Sequence, residues 1–186
     1  MTELRSILLI FAVGAFLVSP ASAGGSDKGS IPEYRLSVSF NLQENSLKGE
    51  ALIDFPETAK ISVSTGRLAI KSASLNGRPV EYRKDEGLIQ AYGKGRLEIR
   101  YEGVFAGEKS GGENLENAGV VRGGIVSSRG ISLTGDWYPS INGLAFYKLS
   151  ALVPTGFTAI SEADEITVRE TPAGREYSFA FPHPLN

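Results

Sequence analysis

The sequence predicts an all-β fold, an antiparallel β-sandwich, and three observations carry that prediction. Apolar and polar residues alternate with a period of two in one segment after another. Gly, Pro and Asn punctuate these segments about every 8–12 residues, the spacing of short strands in sandwiches and barrels. Beyond the N-terminus no stretch sustains a helical period. At 186 residues the chain has the length of one domain, and with 41% hydrophobic and 22% charged residues it has the means to bury a core.

Residues 34–41 (YRLSVSFN) put Tyr34, Leu36, Val38 and Phe40 on one face and Arg35, Ser37, Ser39 and Asn41 on the other, which predicts a half-buried strand. Residues 47–55 (LKGEALIDF) follow, with Ala51, Ile53 and Phe55 on one face. The short Gln43-Glu44-Asn45-Ser46 link predicts a hairpin between the two strands. Pro56 is expected to end the second strand because it cannot donate to a ladder, leaving 61–63 as a separate short strand. Residues 68–75 (LAIKSASL) alternate again. Asn76-Gly77 then predicts a type I′ turn, with residues 79–83 returning. Residues 88–92 and 96–105 (RLEIRYEGVF) are expected to pair around Gly93-Lys94-Gly95, with Leu97, Ile99 and Tyr101 sharing a face. Residues 106–119 (AGEKSGGENLENAG) read as a long surface loop. Strands are expected at 120–126, 131–133, 146–153 (stopped by Pro154), 157–160, 166–169 and 177–181. Alternating faces are predicted for the last two, with Pro172-Ala173-Gly174 as the turn between them.

The N-terminus reads as a targeting segment. Arg5 and the terminal amine precede an apolar run over residues 7–18 (ILLIFAVGAFLV), and Pro20 and Ala21-Ser22-Ala23 follow with small residues where a signal peptidase reads. Residues 1–23 are therefore expected to be a signal peptide, 24–33 a flexible lead-in and 34–186 the β-sandwich domain. The run is short for a membrane span, which takes about 20 apolar residues. The expected location is the periplasm or the extracellular space, with no stable membrane span after cleavage. An uncleaved N-terminal anchor is the alternative. A lipoprotein is excluded, since no Cys stands at the cleavage point.

Composition closes off most chemistry. With no cysteine, the chain offers no disulfide, thiolate metal site or Cys nucleophile. With 19 Lys+Arg against 21 Asp+Glu it lacks the basic excess of a nucleic-acid binder. The single histidine, His183, lies between two prolines near the C-terminus, where an exposed tail residue is the ordinary reading, and it leaves a Ser-His-Asp triad one candidate base. A two-histidine zinc motif cannot be built. Residues 103–110 (GVFAGEKS) lack the glycine spacing of a phosphate loop. Glu113 and Glu116, or Glu162, Asp164 and Glu165, are oxygen donors without the spacing of a calcium loop, and read as solvated turns. No catalytic, cofactor or metal residue is assigned. Trp137 and Tyr138, followed by Pro139, form the most distinctive cluster. They are the candidate ligand or domain-interface residues, as an aromatic ledge for a sugar or peptide, or else core rings at a strand entrance.

Several phrases taken in order resemble the N-terminal domain of the aminopeptidase N-like gluzincin metallopeptidases. They are Leu47-Lys48-Gly49-Glu50-Ala51, Leu75-Asn76-Gly77, residues 97–103 (LEIRYEG), Trp137-Tyr138-Pro139, and residues 153–157 (VPTGF) leading into Thr158-Ala159-Ile160-Ser161. The resemblance spans nearly all of residues 34–186. It implies a saddle-shaped, mostly antiparallel sandwich that in family enzymes precedes a thermolysin-like zinc domain. The H-E-x-x-H and G-x-M-E-N motifs of that zinc domain do not occur in this sequence. The resemblance therefore implies a non-catalytic chain, a truncated or split member whose zinc and chemistry sit in a missing catalytic domain or partner chain. A free-standing glycan- or peptide-binding module is the alternative. An apolar surface patch is expected where the domain would pack.

Overall fold

A computed structural model describes residues 30–106 and 124–186, together with the backbone of residues 7–12. In chain order the strands are β1 (Ile7–Ala12), β2 (Glu33–Asn41), β3 (Ser46–Ser64), β4 (Ala69–Leu75), β5 (Arg78–Pro79), β6 (Glu81–Arg83), β7 (Leu88–Val104), β8 (Ile125–Ser127), β9 (Gly130–Thr134), β10 (Ser140–Ile141), β11 (Ala145–Val153), β12 (Phe157–Ser161), β13 (Glu165–Thr171) and β14 (Gly174–Leu185). One 3-10 turn, Lys84–Glu86, interrupts them. The large sheet runs β13-β14-β11-β2-β3-β7-β4-β5, with β10 added to β3 and β6 to β7; the small sheet runs β12-β1-β9-β8.

The predicted sandwich is present, because side chains from both sheets meet in one core. Leu36, Ile53, Ile99 and Leu149 of the large sheet pack with Val126, Ile131, Leu133 and Phe157 of the small one. The sheets are mixed, however, and not antiparallel throughout. β11 lies parallel to β2, and β1 lies parallel to both β12 and β9. Period-two alternation places faces but says nothing about strand direction.

The centre of the large sheet is the long β3/β7 ribbon. Two of the phrases that carry the family resemblance face each other there. Leu47 pairs with Gly103, Gly49 with Tyr101, Ala51 with Ile99 and Ile53 with Leu97. Directly paired residues share a face of the sheet. Gly49 has no side chain, and the Tyr101 ring occupies the space where one would stand. A Cβ on Gly49 would lie 2.2 Å from the ring. Tyr101 is thereby buried in the core.

Two expectations about this ribbon are corrected. Pro56 does not end its strand, and Gly93-Lys94-Gly95 is not a turn. β3 and β7 continue past both, because the two features lie opposite each other at one β-bulge, with Phe55 paired to Gly95 and Ala59 to Gly93. At a bulge the ladder is locally open, so the missing N–H of Pro56 costs little. The Asn76-Gly77 turn has the predicted form, with φ of 51° and 77°. Asn76 also serves the bulge across the sheet. Its Nδ2 donates to the Lys94 carbonyl at 2.8 Å and its Oδ1 accepts from the Arg96 N–H at 3.0 Å. Gly95, at φ 105°, leaves the room for this, since a Cβ there would sit 2.2 Å from Asn76 Oδ1.

The return after Asn76-Gly77 splits into β5 and β6, which pair with β4 and β7 respectively. β13 is corrected in its burial. It is an edge strand with almost every residue exposed, not a half-buried one. The expected surface loop lies outside the described residues beyond Ala106, as does 120–123 of the strand expected at 120–126. Of the expected signal peptide only Ile7–Ala12 is described, and there as strand β1; the lead-in is described from Ser30 onward.

Gly49→Ala is expected to destabilise the fold by about 1–3 kcal/mol, since the added methyl overpacks the Tyr101 contact. Urea unfolding of Gly49→Ala, Tyr101→Leu and the double variant checks this. The double variant should recover part of the sum, as contacting residues do.

Candidate functional site

Gly135 and Asp136 both adopt left-handed backbone, φ 58° and 48°, and this tight reversal after β9 turns Trp137 into the interior. Trp137 is fully buried, so it is a core ring and not an exposed ledge. Tyr138 is half-buried beside it, with ring centroids 4.7 Å apart at 65°. Tyr138 meets Tyr34 edge-on at 6.3 Å and Tyr147 at 6.0 Å. Tyr34 and Tyr147 stack at 4.8 Å because β2 and β11 place them directly side by side. Burial pushes the Tyr34 and Tyr147 hydroxyls well above the ordinary phenol range, and their tyrosine neighbours push them further. These hydroxyls stay neutral, and none is poised as an acid or base near neutral pH. The cluster seals the core where β2, β10 and β11 meet. Its aromatic members were visible in the sequence, but their convergence depends on the parallel β2/β11 pairing, which has no local signature.

The remaining sequence candidates do not converge. His183 is exposed on β14, within a strand and not in a tail. Glu162, Asp164 and Glu165 are exposed around the start of β13. Glu113 and Glu116 lie outside the described residues, as do residues 107–110 of 103–110. Among the described residues no group of three His, Cys, Asp or Glu could hold a metal ion. With one histidine and no cysteine in the sequence, the donor set does not fit a catalytic zinc. Also among the described residues, no helix is long and apolar enough to cross a membrane.

The outer face of the large sheet is polar and laced with cross-strand ion pairs. Asp54 accepts from Arg96 Nε at 2.9 Å and Nη2 at 3.1 Å, and also pairs with Arg35. The Arg96 hydrogen bonds, with help from Arg35, hold the Asp54 carboxyl below the usual carboxylate range against the opposing effect of burial. Arg100 pairs with Glu50 at 3.0 Å, and Glu102 with Lys71 at 2.9 Å. A shallow depression of about 470 Å³ runs over this face between Ser37, Lys48, Lys71, Arg100 and Glu176. Its charges of both signs are already paired to one another, which marks a solvated face and not a site of single-sign recognition.

The apolar feature lies on the opposite face, at the β13 edge. Ile166 pairs with Phe179 and Val168 with Tyr177, so these two aliphatic side chains share the core-facing side of the sheet with two buried aromatics. Yet Ile166 is 46% and Val168 54% exposed, because the core stops short of them. The result is an uncovered apolar extension of the core along a sheet edge. Sequence reasoning missed it, because Ile166 and Val168 read as ordinary inward residues of an alternating strand.

No family model matches the chain, and no curated protein sequence does either. The fold is nonetheless shared with M1 zinc metallopeptidase structures, in the manner of their N-terminal domain. One is an M1 zinc metallopeptidase mutant from Deinococcus radiodurans bound to a Tyr-Ser-Ala substrate, 17% identical, with a TM-score of 0.54 over 83% of this chain and 39% of that one. A two-domain M1 zinc metallopeptidase mutant bound to L-tryptophan is 18% identical, with a TM-score of 0.53 over 83% and 40%. An M1 zinc metallopeptidase from Deinococcus radiodurans is 19% identical, with a TM-score of 0.52 over 83% and 39%. The chain therefore spans about two fifths of the length of the structures it matches.

Trp137 is the single tryptophan, so intrinsic fluorescence reports on it alone. Its emission is expected to be blue-shifted and protected from iodide, and Trp137→Ala should cost about 3–5 kcal/mol in urea unfolding. Asp54→Asn is expected to flatten the acid limb of stability. A lowered carboxyl pKa contributes stability above the unfolded-state value of about 3.9 and loses it as pH falls through the folded value. Unfolding midpoints measured from pH 7 down to pH 2 check the sign.

Proposed function

We propose that the chain is an exported, non-catalytic β-sandwich that acts as the N-terminal domain of a zinc aminopeptidase. In this reading it packs against a zinc-bearing catalytic domain, in the same polypeptide or a partner, and walls one side of its cleft. The observation that carries the reading is the uncovered apolar face of β13, Ile166 and Val168, on a fold shared with the M1 metallopeptidases. β13 also carries Glu165, Arg169 and Glu170, charges of the kind that keep a sheet edge from pairing with other strands, so contact in this reading is made by the apolar side chains and not by the strand edge. The zinc belongs to the catalytic domain in this reading, and no step of its chemistry passes through this chain. Tyr138, half-buried at the rim of the aromatic cluster, is the remaining sequence candidate for an interdomain contact. The alternative of a free-standing glycan- or peptide-binding module loses its platform, because Trp137 offers no exposed ring.

The test is antibody capture of the native protein from its source, with intact mass and zinc content measured together. A longer polypeptide carrying zinc, or a chain of residues 24–186 co-eluting with a zinc peptidase, is the expected result. A chain of residues 24–186 eluting alone and without zinc overturns the reading. The same capture checks export, which requires the mass to lack residues 1–23. Ile166→Asp and Val168→Asp are expected to leave stability within about 0.5 kcal/mol, as exposed substitutions do, while weakening the association at least about tenfold.

A further inference from the structure

The small sheet is held together by a strand that the export reading removes. β1 pairs with β12 from Ile7↔Phe157 to Phe11↔Ser161, and with β9 from Leu9↔Ile131 to Ala12↔Thr134. β9 and β12 are not neighbours in the sheet; β1 lies between them. The residues of β1 belong to the apolar run that reads as a signal peptide. Without them, β8 and β9 form a ribbon of three and five residues, and β12 has no partner in the small sheet. Ile131, Leu133, Phe157 and Ala159 are core residues on the two flanking strands, so the backbone groups that face the gap lie beside buried side chains. Each such group left unpaired and buried costs about 1–3 kcal/mol. A gap of this kind is stable when filled by an extended segment whose backbone pairs on both sides, the geometry of strand addition.

We propose that the gap between β9 and β12 is a strand-acceptor site. In the unprocessed chain Ile7–Ala12 fills it. In the processed chain it takes an extended apolar strand from the polypeptide on which the domain packs. This rests on the reading given under Proposed function. The seated segment defines what fits: about five or six residues, extended, free of charge and proline, and able to pair with Ile131–Thr134 on one side and Phe157–Ser161 on the other.

The absence of native cysteine makes disulfide trapping unambiguous. Full-length chain carrying Ile10→Cys and Ser132→Cys, which are register partners, is expected to cross-link under mild oxidation. Processed Ser132→Cys chain, recovered after export, is then mixed with a lysine-tagged peptide of residues 7–12 bearing the Ile10→Cys change. Trapping is expected, and the peptide should slow amide exchange in β9 and β12 by about tenfold or more. If Ser132→Cys disturbs folding, Thr134→Cys with Ala12→Cys in the peptide repeats the test two pairs along. Failure to trap, with β9 and β12 equally protected without peptide, means the two strands close on each other and overturns the proposal. Exported chain that retains residues 1–23 makes β1 a permanent strand and also overturns it. Failure of the packing reading is separate, because it shows as the absence of a zinc-bearing partner while the peptide still traps.

Discussion

A tyrosine ring laid across a glycine is the contact on which the rest of the sandwich depends. Tyr101 fills the space over Gly49, and this lets β3 and β7 pair as the spine of the large sheet. β2 adds to one side of that spine and β4 to the other, and β11 then joins β2 in parallel. Gly103, one step further along β7, has its open side filled by Phe105 and Leu68 in the same manner. A larger residue at Gly49 would push Tyr101 off the β3 backbone and widen the layer that Ile131, Leu133 and Phe157 close from above. The phrases K-G-E-A and I-R-Y-E-G are thus two halves of one packing solution. A close approach of ring to backbone admits few substitutes.

The two faces of the large sheet are stabilised by different physics. The outer face carries ion pairs between exposed groups, each contributing about 0–1 kcal/mol. Asp54 with its two arginines is the best-connected of these, and even it is only partly shielded from water. The inner face carries Tyr34, Tyr101 and much of the aliphatic core, with Trp137 buried in the same core, and there one large side chain outweighs several surface pairs. The polar carpet therefore governs solubility and pH response, and the aromatic cluster governs whether the domain is folded.

What was legible in the sequence followed from local chemistry. Asn76-Gly77 made its turn because both residues tolerate positive φ, and residues 34–41 made their strand because alternation fixes a face. What was not legible depended on pairing across the fold. Pro56 and Gly93-Lys94-Gly95 each look like a strand end when read alone. Only their position opposite one another turns two ends into one bulge. Ile166 and Val168 alternate as inward residues should, and nothing in β13 itself says that the opposing sheet stops short of them. Trp137 could be read as a ledge or as a core ring until the Gly135-Asp136 reversal decided it.

In the processed chain proposed above, the large and small sheets differ in what each lacks. The β13 edge lacks side-chain cover, a deficit of apolar area that any well-shaped apolar surface can meet. The site between β9 and β12 is filled by β1, and in the proposed processed chain it lacks backbone partners, a deficit that only an extended strand in register can meet. The first deficit provides affinity with little selectivity, and the second provides register and selectivity with little area. A partner that met both at once would bind in one orientation. Under the proposed function that is what the domain would require, because a wall free to slide along its partner would not define the cleft.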